Sequence, residues 1–156
     1  MPQEIERKFL VISDTYKALS LGKTRITQAY IATNPSASVR VRVKGDKGFL
    51  TIKGKGNDSG TTRYEWEKKI PVEEAKELLQ LCTSGVIDKI RHQVNFNGFI
   101  YEVDEFFGEN EGLVVAEIEL NNEDDVFEKP LWLGKEVTGE TKYYNAVLVQ
   151  HPFSKW

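Results

Sequence analysis

Along most of this chain, polar and apolar side chains trade places at every second residue. That period belongs to β-strands, whose side chains point alternately to two faces. The opening stretch sets the pattern. Glu4, Glu6 and Lys8 fall on one face, and Ile5, Phe9 and Val11 on the other, with Arg7 interrupting the apolar stripe. A helix would scatter the three charges and leave no apolar stripe to bury. Ser13 or Asp14 then caps a short helical turn through Leu19, which Gly22 ends. Strands are predicted over 24–33, 38–44, 49–53, 61–70, 86–96, 99–107 and 113–120. Hairpin turns join them at Asn34-Pro35-Ser36, Gly45-Asp46-Lys47-Gly48 and Asn97-Gly98. The glycine-rich stretch 54–60 reads as a mobile loop. It lacks the Gly-Lys-Ser/Thr ending and the following helix of a phosphate loop.

Helices are few. Pro71 opens one over 71–81, with Glu73 and Glu74 in its first turn and an apolar face of Ala75, Leu78 and Leu79. A capped helical turn is expected over 121–129, a loop over 134–142 and a short C-terminal helix over 143–149. Many hairpin-linked strands with few helices predict a mainly β (α+β) fold. With 156 residues and no linker or repeat, one domain spanning 1–156 is expected.

The alternation leaves two arrangements open. In an open sheet the charged faces are wetted and carry no chemistry. In a closed sheet with helices outside, the apolar stripes bury outward and the charges line a lumen. Three details favour closure. Large residues such as Tyr64, Trp66, Tyr101, Ile118 and Leu120 need cover, and the helix over 71–81 has an apolar face to supply it. The charges are also sorted by strand: Glu102 with Asp104 and Glu117 with Glu119, against Arg40 with Arg42 and Lys89 with Arg91. A solubilising surface mixes signs instead.

Composition narrows the chemistry. A net charge of -3 argues against a nucleic-acid partner. No apolar run is long enough to span a bilayer, and no signal peptide is visible, so a cytoplasmic protein is expected. The one cysteine, Cys82, excludes an internal disulfide and reads as a buried thiol. His92 and His151 have no partner for a zinc site; His92 reads as outward-facing and His151 as a surface residue. Paired carboxylates supply oxygen ligands for Mg2+ or Mn2+. Arginine forks and lysine point charges suit phosphate oxygens. A lumen holding both fits a metal-bound polyphosphate.

The ordered motifs then carry a resemblance. Glu4-x-Glu6-x-Lys8, Gln28-Ala29-Tyr30, Val39-Arg40-Val41-Arg42, Leu50-Thr51-Ile52-Lys53, Arg63-Tyr64-Glu65, Lys89-Ile90-Arg91, Glu102-Val103-Asp104, Glu117-Ile118-Glu119 and Val137-Thr138-Gly139 follow one another over nearly the whole chain. The set resembles the CYTH superfamily, the triphosphate tunnel metalloenzymes. The resemblance implies a closed eight-stranded antiparallel β tunnel with a polar lumen and divalent-metal-dependent chemistry on triphosphates. It implies Glu4, Glu6, Glu117 and Glu119 as ligands of Mg2+ or Mn2+, with Glu102 and Asp104 serving a second metal or its waters. Lys8, Arg40, Arg42, Lys53, Lys89 and Arg91, joined by Arg63, would bind a small-molecule triphosphate. Glu65 and Glu67 would orient those cations. Lys89 and Tyr30 are the candidate catalytic side chains, acting with a water nucleophile. Inorganic triphosphate is the expected substrate, on the strength of many phosphate-gripping groups and no base-reading site. Thiamine triphosphatase and adenylyl cyclase are the alternatives within the family. A non-catalytic polyphosphate or nucleotide binder and an open-sheet interaction module are those outside it. A homodimer is compatible with the sequence.

Overall fold

The computed structural model describes residues 2–156. Nine strands are present: β1 Gln3–Val11, β2 Ser20–Thr33, β3 Ala37–Lys44, β4 Lys47–Gly54, β5 Thr62–Ile70, β6 Ile87–Phe96, β7 Phe99–Phe106, β8 Val114–Glu119 and β9 Leu133–Glu136. Two α-helices accompany them, α1 Val72–Leu79 and α2 Asn145–Leu148. The strand order is β5-β4-β3-β2-β6-β7-β8-β1, and β1 returns to β5 through Gln3↔Tyr64, Glu4↔Arg63 and Ile5↔Thr62. Eight antiparallel strands therefore close into a barrel. The second half of β1 also carries β9, with Phe9 opposite Glu136 and Val11 opposite Leu133.

Local chemistry explains the turns. The Asn34 side-chain oxygen accepts hydrogen bonds from the backbone N–H groups of Ser36 and Ala37, both at 2.9 Å, which shapes the β2–β3 connection. Asn97 and Gly98 both take positive φ, 50° and 84°, as a tight two-residue hairpin requires.

The packing is that of a barrel turned inside out. Its interior is ionic, and its apolar clusters lie against the outer face and at one end. Phe9, Val94, Tyr101, Val103 and Ile118 point outward from β1, β6, β7 and β8. They are covered by Tyr16, from the 3-10 turn Thr15–Leu19, and by Trp132. Tyr101 donates its hydroxyl to the Glu128 carbonyl at 2.6 Å, fixing the covering segment. A second cluster, including Tyr30, Ile87, Phe106, Val137, Tyr143 and Leu148, closes one end. Helix α1 packs outside β3 and β4, with Ala75 fully buried. No helix among the described residues is long and apolar enough to cross a membrane.

Several sequence expectations are corrected. Gly22 does not end the first helical turn; it lies within β2, at a register shift. The segment 121–129 forms no helix, because Asp125 turns back to accept the N–H groups of Asn121 and Asn122. The expected loop over 134–142 begins as strand β9. Cover is incomplete, since Trp66 keeps 37% of its surface exposed. His92 does face outward, but it is buried beneath Tyr16, with ring centroids 5.4 Å apart. Cys82 is half-buried and points its thiol at the Leu78 carbonyl, 3.5 Å away.

Candidate active site

The charged faces meet inside the barrel. A cavity of about 160 Å³ is walled by Glu4, Glu6, Glu65, Glu67, Glu102, Glu117 and Glu119 and by Lys8, Arg40, Arg42, Lys53, Arg63, Lys89 and Arg91. Seven acids thus face seven bases. A tunnel already balanced in this way gains no attraction for a polyanion unless cations enter with it.

The bases fall into two groups. Most are held by carboxylates. Lys53 donates to Glu4 at 2.9 and 3.1 Å and sits 3.5 Å from Glu65. Arg63 reaches Glu4 at 3.3 Å, and Lys8 lies 3.8 Å from Glu117. Arg91 clamps Asp104 through two bonds of 2.8 and 2.9 Å, while Lys89 donates to the same carboxylate at 2.7 Å. Burial alone would raise Asp104, but the Arg91 and Lys89 charges hold its pKa at about 2. Asp104 stands behind the lumen wall with both oxygens engaged. Burial also lowers Lys89 to about 7, against the pull of Asp104.

Arg42 differs. Its Nε donates to the neutral Gln28 side chain at 2.7 Å. No carboxylate among the described residues lies within 4.0 Å of its guanidinium. Burial, then repulsion from Arg40 and Arg91, drives it down to about 9. Arg40 beside it lies 3.6 Å from Glu67 and leaves its buried Nε without a partner. Guanidinium forks with unused donors could take an anion supplied from outside.

The acids carry the opposite tension. Glu6 faces Glu119 across the β1–β8 pairing, and Glu102 faces Glu117 across β7–β8. Like charges directly opposite destabilise a sheet. Burial, Glu117 and Glu4 push Glu6 well above the usual carboxylate range. Burial, with Glu4 and Glu102, also raises Glu119. A hydrogen bond to Glu4, then burial, carries Glu65 to about 7. Burial would raise Glu117, but Lys8 and a hydrogen bond from Glu6 hold it well below normal. Among the described residues no three such groups are already drawn around one point. The all-oxygen donor set and its surplus of crowded carboxylates nonetheless fit a hard divalent cation, which would remove the repulsion.

Every site residue expected from sequence lines this cavity except Asp104. Tyr30 lines it and packs in the end cluster. Sequence reasoning missed a contribution from the C-terminus. Tyr144, Asn145 and Ala146 enter the lumen from the start of α2. Asn145 accepts a hydrogen bond from Lys89 at 3.3 Å, and the Tyr144 ring lies 5.2 Å from the Lys8 ammonium. Thr51, fully buried, links Arg40 at 3.2 Å to Glu67 at 2.7 Å.

A family model described as the CYTH domain matches residues 2–147. The chain belongs to the CYTH family. It is 52% identical to an inorganic triphosphatase of Acetivibrio thermocellus, over all of this chain and 99% of that protein. It is 34% identical to an inorganic triphosphatase of Nitrosomonas europaea, over 93% of this chain and 95% of the relative. A crystal structure of an inorganic triphosphatase superposes with a TM-score of 0.69 and 31% identity, covering 96% of both chains. The closed barrel with its charged interior is thus the CYTH tunnel, with β9 as an added strand.

Proposed function

We propose that this CYTH protein hydrolyses inorganic triphosphate to diphosphate and phosphate with Mg2+ or Mn2+. The observation that carries this reading is the closed tunnel in which Arg42, with no carboxylate beside it, faces a wall of crowded acids. The two relatives named inorganic triphosphatase, similar over almost their full length, support it.

Arg40, Arg42, Lys53 and Arg63 would bind the phosphate oxygens, and Lys8 and Arg91 would hold the chain along the tunnel. Glu4, Glu6, Glu117 and Glu119 would hold the cation, with Glu102 next to them. When bound, the cation supplies Lewis acidity toward phosphate oxygens and lowers the pKa of its water. A water oxygen attacks the terminal phosphorus, the P–O anhydride bond breaks, and diphosphate departs with the bonding electrons. The cationic wall stabilises the charge that gathers on that leaving group. Lys89 in its neutral form, which burial makes accessible near pH 7, would take up at Nζ the proton that the attacking water loses, with Asp104 and Asn145 holding Nζ in place. Tyr30 borders the same chamber and positions the water or phosphate beside it.

Phosphate release from inorganic triphosphate, ATP and thiamine triphosphate, each with Mg2+, Mn2+ or a chelator, tests the proposal. The expected result is metal-dependent turnover with the highest kcat/KM on inorganic triphosphate. No release from triphosphate with either metal overturns it, and cyclic AMP made from ATP replaces it with a cyclase.

A further inference from the structure

Three cavities meet at one aromatic ring. Tyr144 borders the charged tunnel of about 160 Å³, an outer vestibule of about 540 Å³ and a cleft of about 10 Å³ beside Glu6 and Gly139. The vestibule is framed by the loop 54–60, by Val147 of α2 and by Gln150 and His151 beyond that helix. Tunnel and vestibule share Ser38, Lys53, Arg63, Tyr144 and Ala146, so the ring stands at the passage between them.

Tyr144 is held firmly in that place. Its N–H bonds the Thr141 carbonyl at 3.0 Å, and its carbonyl accepts the N–H groups of Val147 and Leu148, both at 2.9 Å. Its ring lies 5.2 Å from the Lys8 ammonium and 5.6 Å from the Arg63 guanidinium. Its hydroxyl abuts the point where Gly60 and Gly139 touch. Both glycines take positive φ, 76° and 78°, and a Cβ on Gly60 would lie 2.5 Å from Gly139 Cα and 3.2 Å from the Tyr144 hydroxyl. Only glycine permits so close an approach.

We propose that Tyr144 is the length-selecting residue of the tunnel, stopping a linear phosphate chain from running past Lys8 and Arg63 into the vestibule. This rests on the triphosphatase reading. The ring fills the passage against the two cations, so a phosphate chain can pass only by pushing the ring away from Lys8 and Arg63. Beyond it, the vestibule has room and Lys55 to receive a fourth phosphate. The partition, and not a lack of space, sets the limit.

The test compares Y144A, Y144L and Y144F with the parent protein on inorganic triphosphate and inorganic tetraphosphate. Y144A should raise the tetraphosphate-to-triphosphate ratio of kcat/KM by about tenfold, and Y144F, which keeps the ring, should hold the parent ratio. If Y144A fails to fold, Y144L replaces the ring with a shorter aliphatic side chain and carries the same comparison. An unchanged ratio in the folded variants, or an equal loss on both anions, overturns the proposal. Calorimetric binding of methylene-bridged, non-hydrolysable analogues of the two anions with Mg2+ reads the same preference independently of turnover. A parent that binds both but hydrolyses neither sinks the triphosphatase reading and leaves the length preference to be decided by the binding ratio.

Discussion

The Lys89 ammonium and the Asp104 carboxylate lie 2.7 Å apart, with side chains only 0% and 2% exposed. Asp104 also neutralises Arg91 from the other side. One carboxylate therefore compensates two buried cations, with Glu102 assisting at 3.5 Å from Arg91. D104N should destabilise the protein by about 3–5 kcal/mol, since removing one member of a buried ion pair strands the other. Urea denaturation of parent and variant measures this. An unchanged midpoint would show that the cations are compensated elsewhere.

Arg42 predicts the reverse balance of effects. Among the described residues its one side-chain partner is Gln28, and burial already works against its charge. R42A should lower kcat/KM on triphosphate by about 10²–10³, the scale of losing one aimed electrostatic contact. Its melting temperature should stay level or rise. A variant that loses stability in proportion to activity would make Arg42 a structural residue.

Glu6 is crowded by Glu117 and Glu4. In metal-free protein, E6Q should raise the melting temperature once the pH is high enough to ionise Glu6, because it then removes like-charge repulsion, and should change little at lower pH, where protonated Glu6 donates to Glu117. The same change should raise the Mg2+ or Mn2+ concentration for half-maximal activity about tenfold or more. Thermal melts with a chelator, paired with metal titrations of activity, check both halves. A fall in the metal-free melting temperature would place Glu6 in a stabilising contact instead.

The outer seam gives a pH effect. Arg7 holds Glu136 through bonds of 2.8 and 2.6 Å, and Thr138 donates at 2.6 Å. The Arg7 hydrogen bonds lower the Glu136 pKa in the folded state. A lowered folded pKa stabilises the fold above the unfolded value of about 4.3, and that stabilisation is lost as pH falls through the folded pKa. Because the pair is about a third exposed, the effect stays under about 1 kcal/mol. The stability gap between parent and E136Q should be present at pH 7 and close below pH ~4. A gap that widens on acidification would contradict the assignment.

The walls of the tunnel were legible because a two-residue period fixes which face each side chain takes. Knowing that Arg40, Arg42, Lys89 and Arg91 shared a face with Glu4, Glu6, Glu117 and Glu119 needed only the alternation. Who meets whom was not legible. Register decides that Asp104 clamps Arg91 while Glu6 confronts Glu119, and register is a property of strand pairs, not of one strand. The C-terminal contribution was hidden for another reason. Helix α2 has four residues, too few for an amphipathic pattern to mark which side enters the lumen. The misread 121–129 segment is rich in Asn, Asp and Glu, which serve helix caps and turns alike, and the Asp125 side chain chose the turn.

Strand β1 is the closing stave, gripped by β5 near the middle of the chain and by β8 and β9 from its far end. On the ribosome β1 is made before all three of its partners and must therefore wait for them. Until residues 114–119 emerge, Glu6 and Lys8 have no opposing strand. Such sequence-distant contacts form slowly. Binding capacity for anion and cation should accordingly arise together, and only once β8 and β9 have been made.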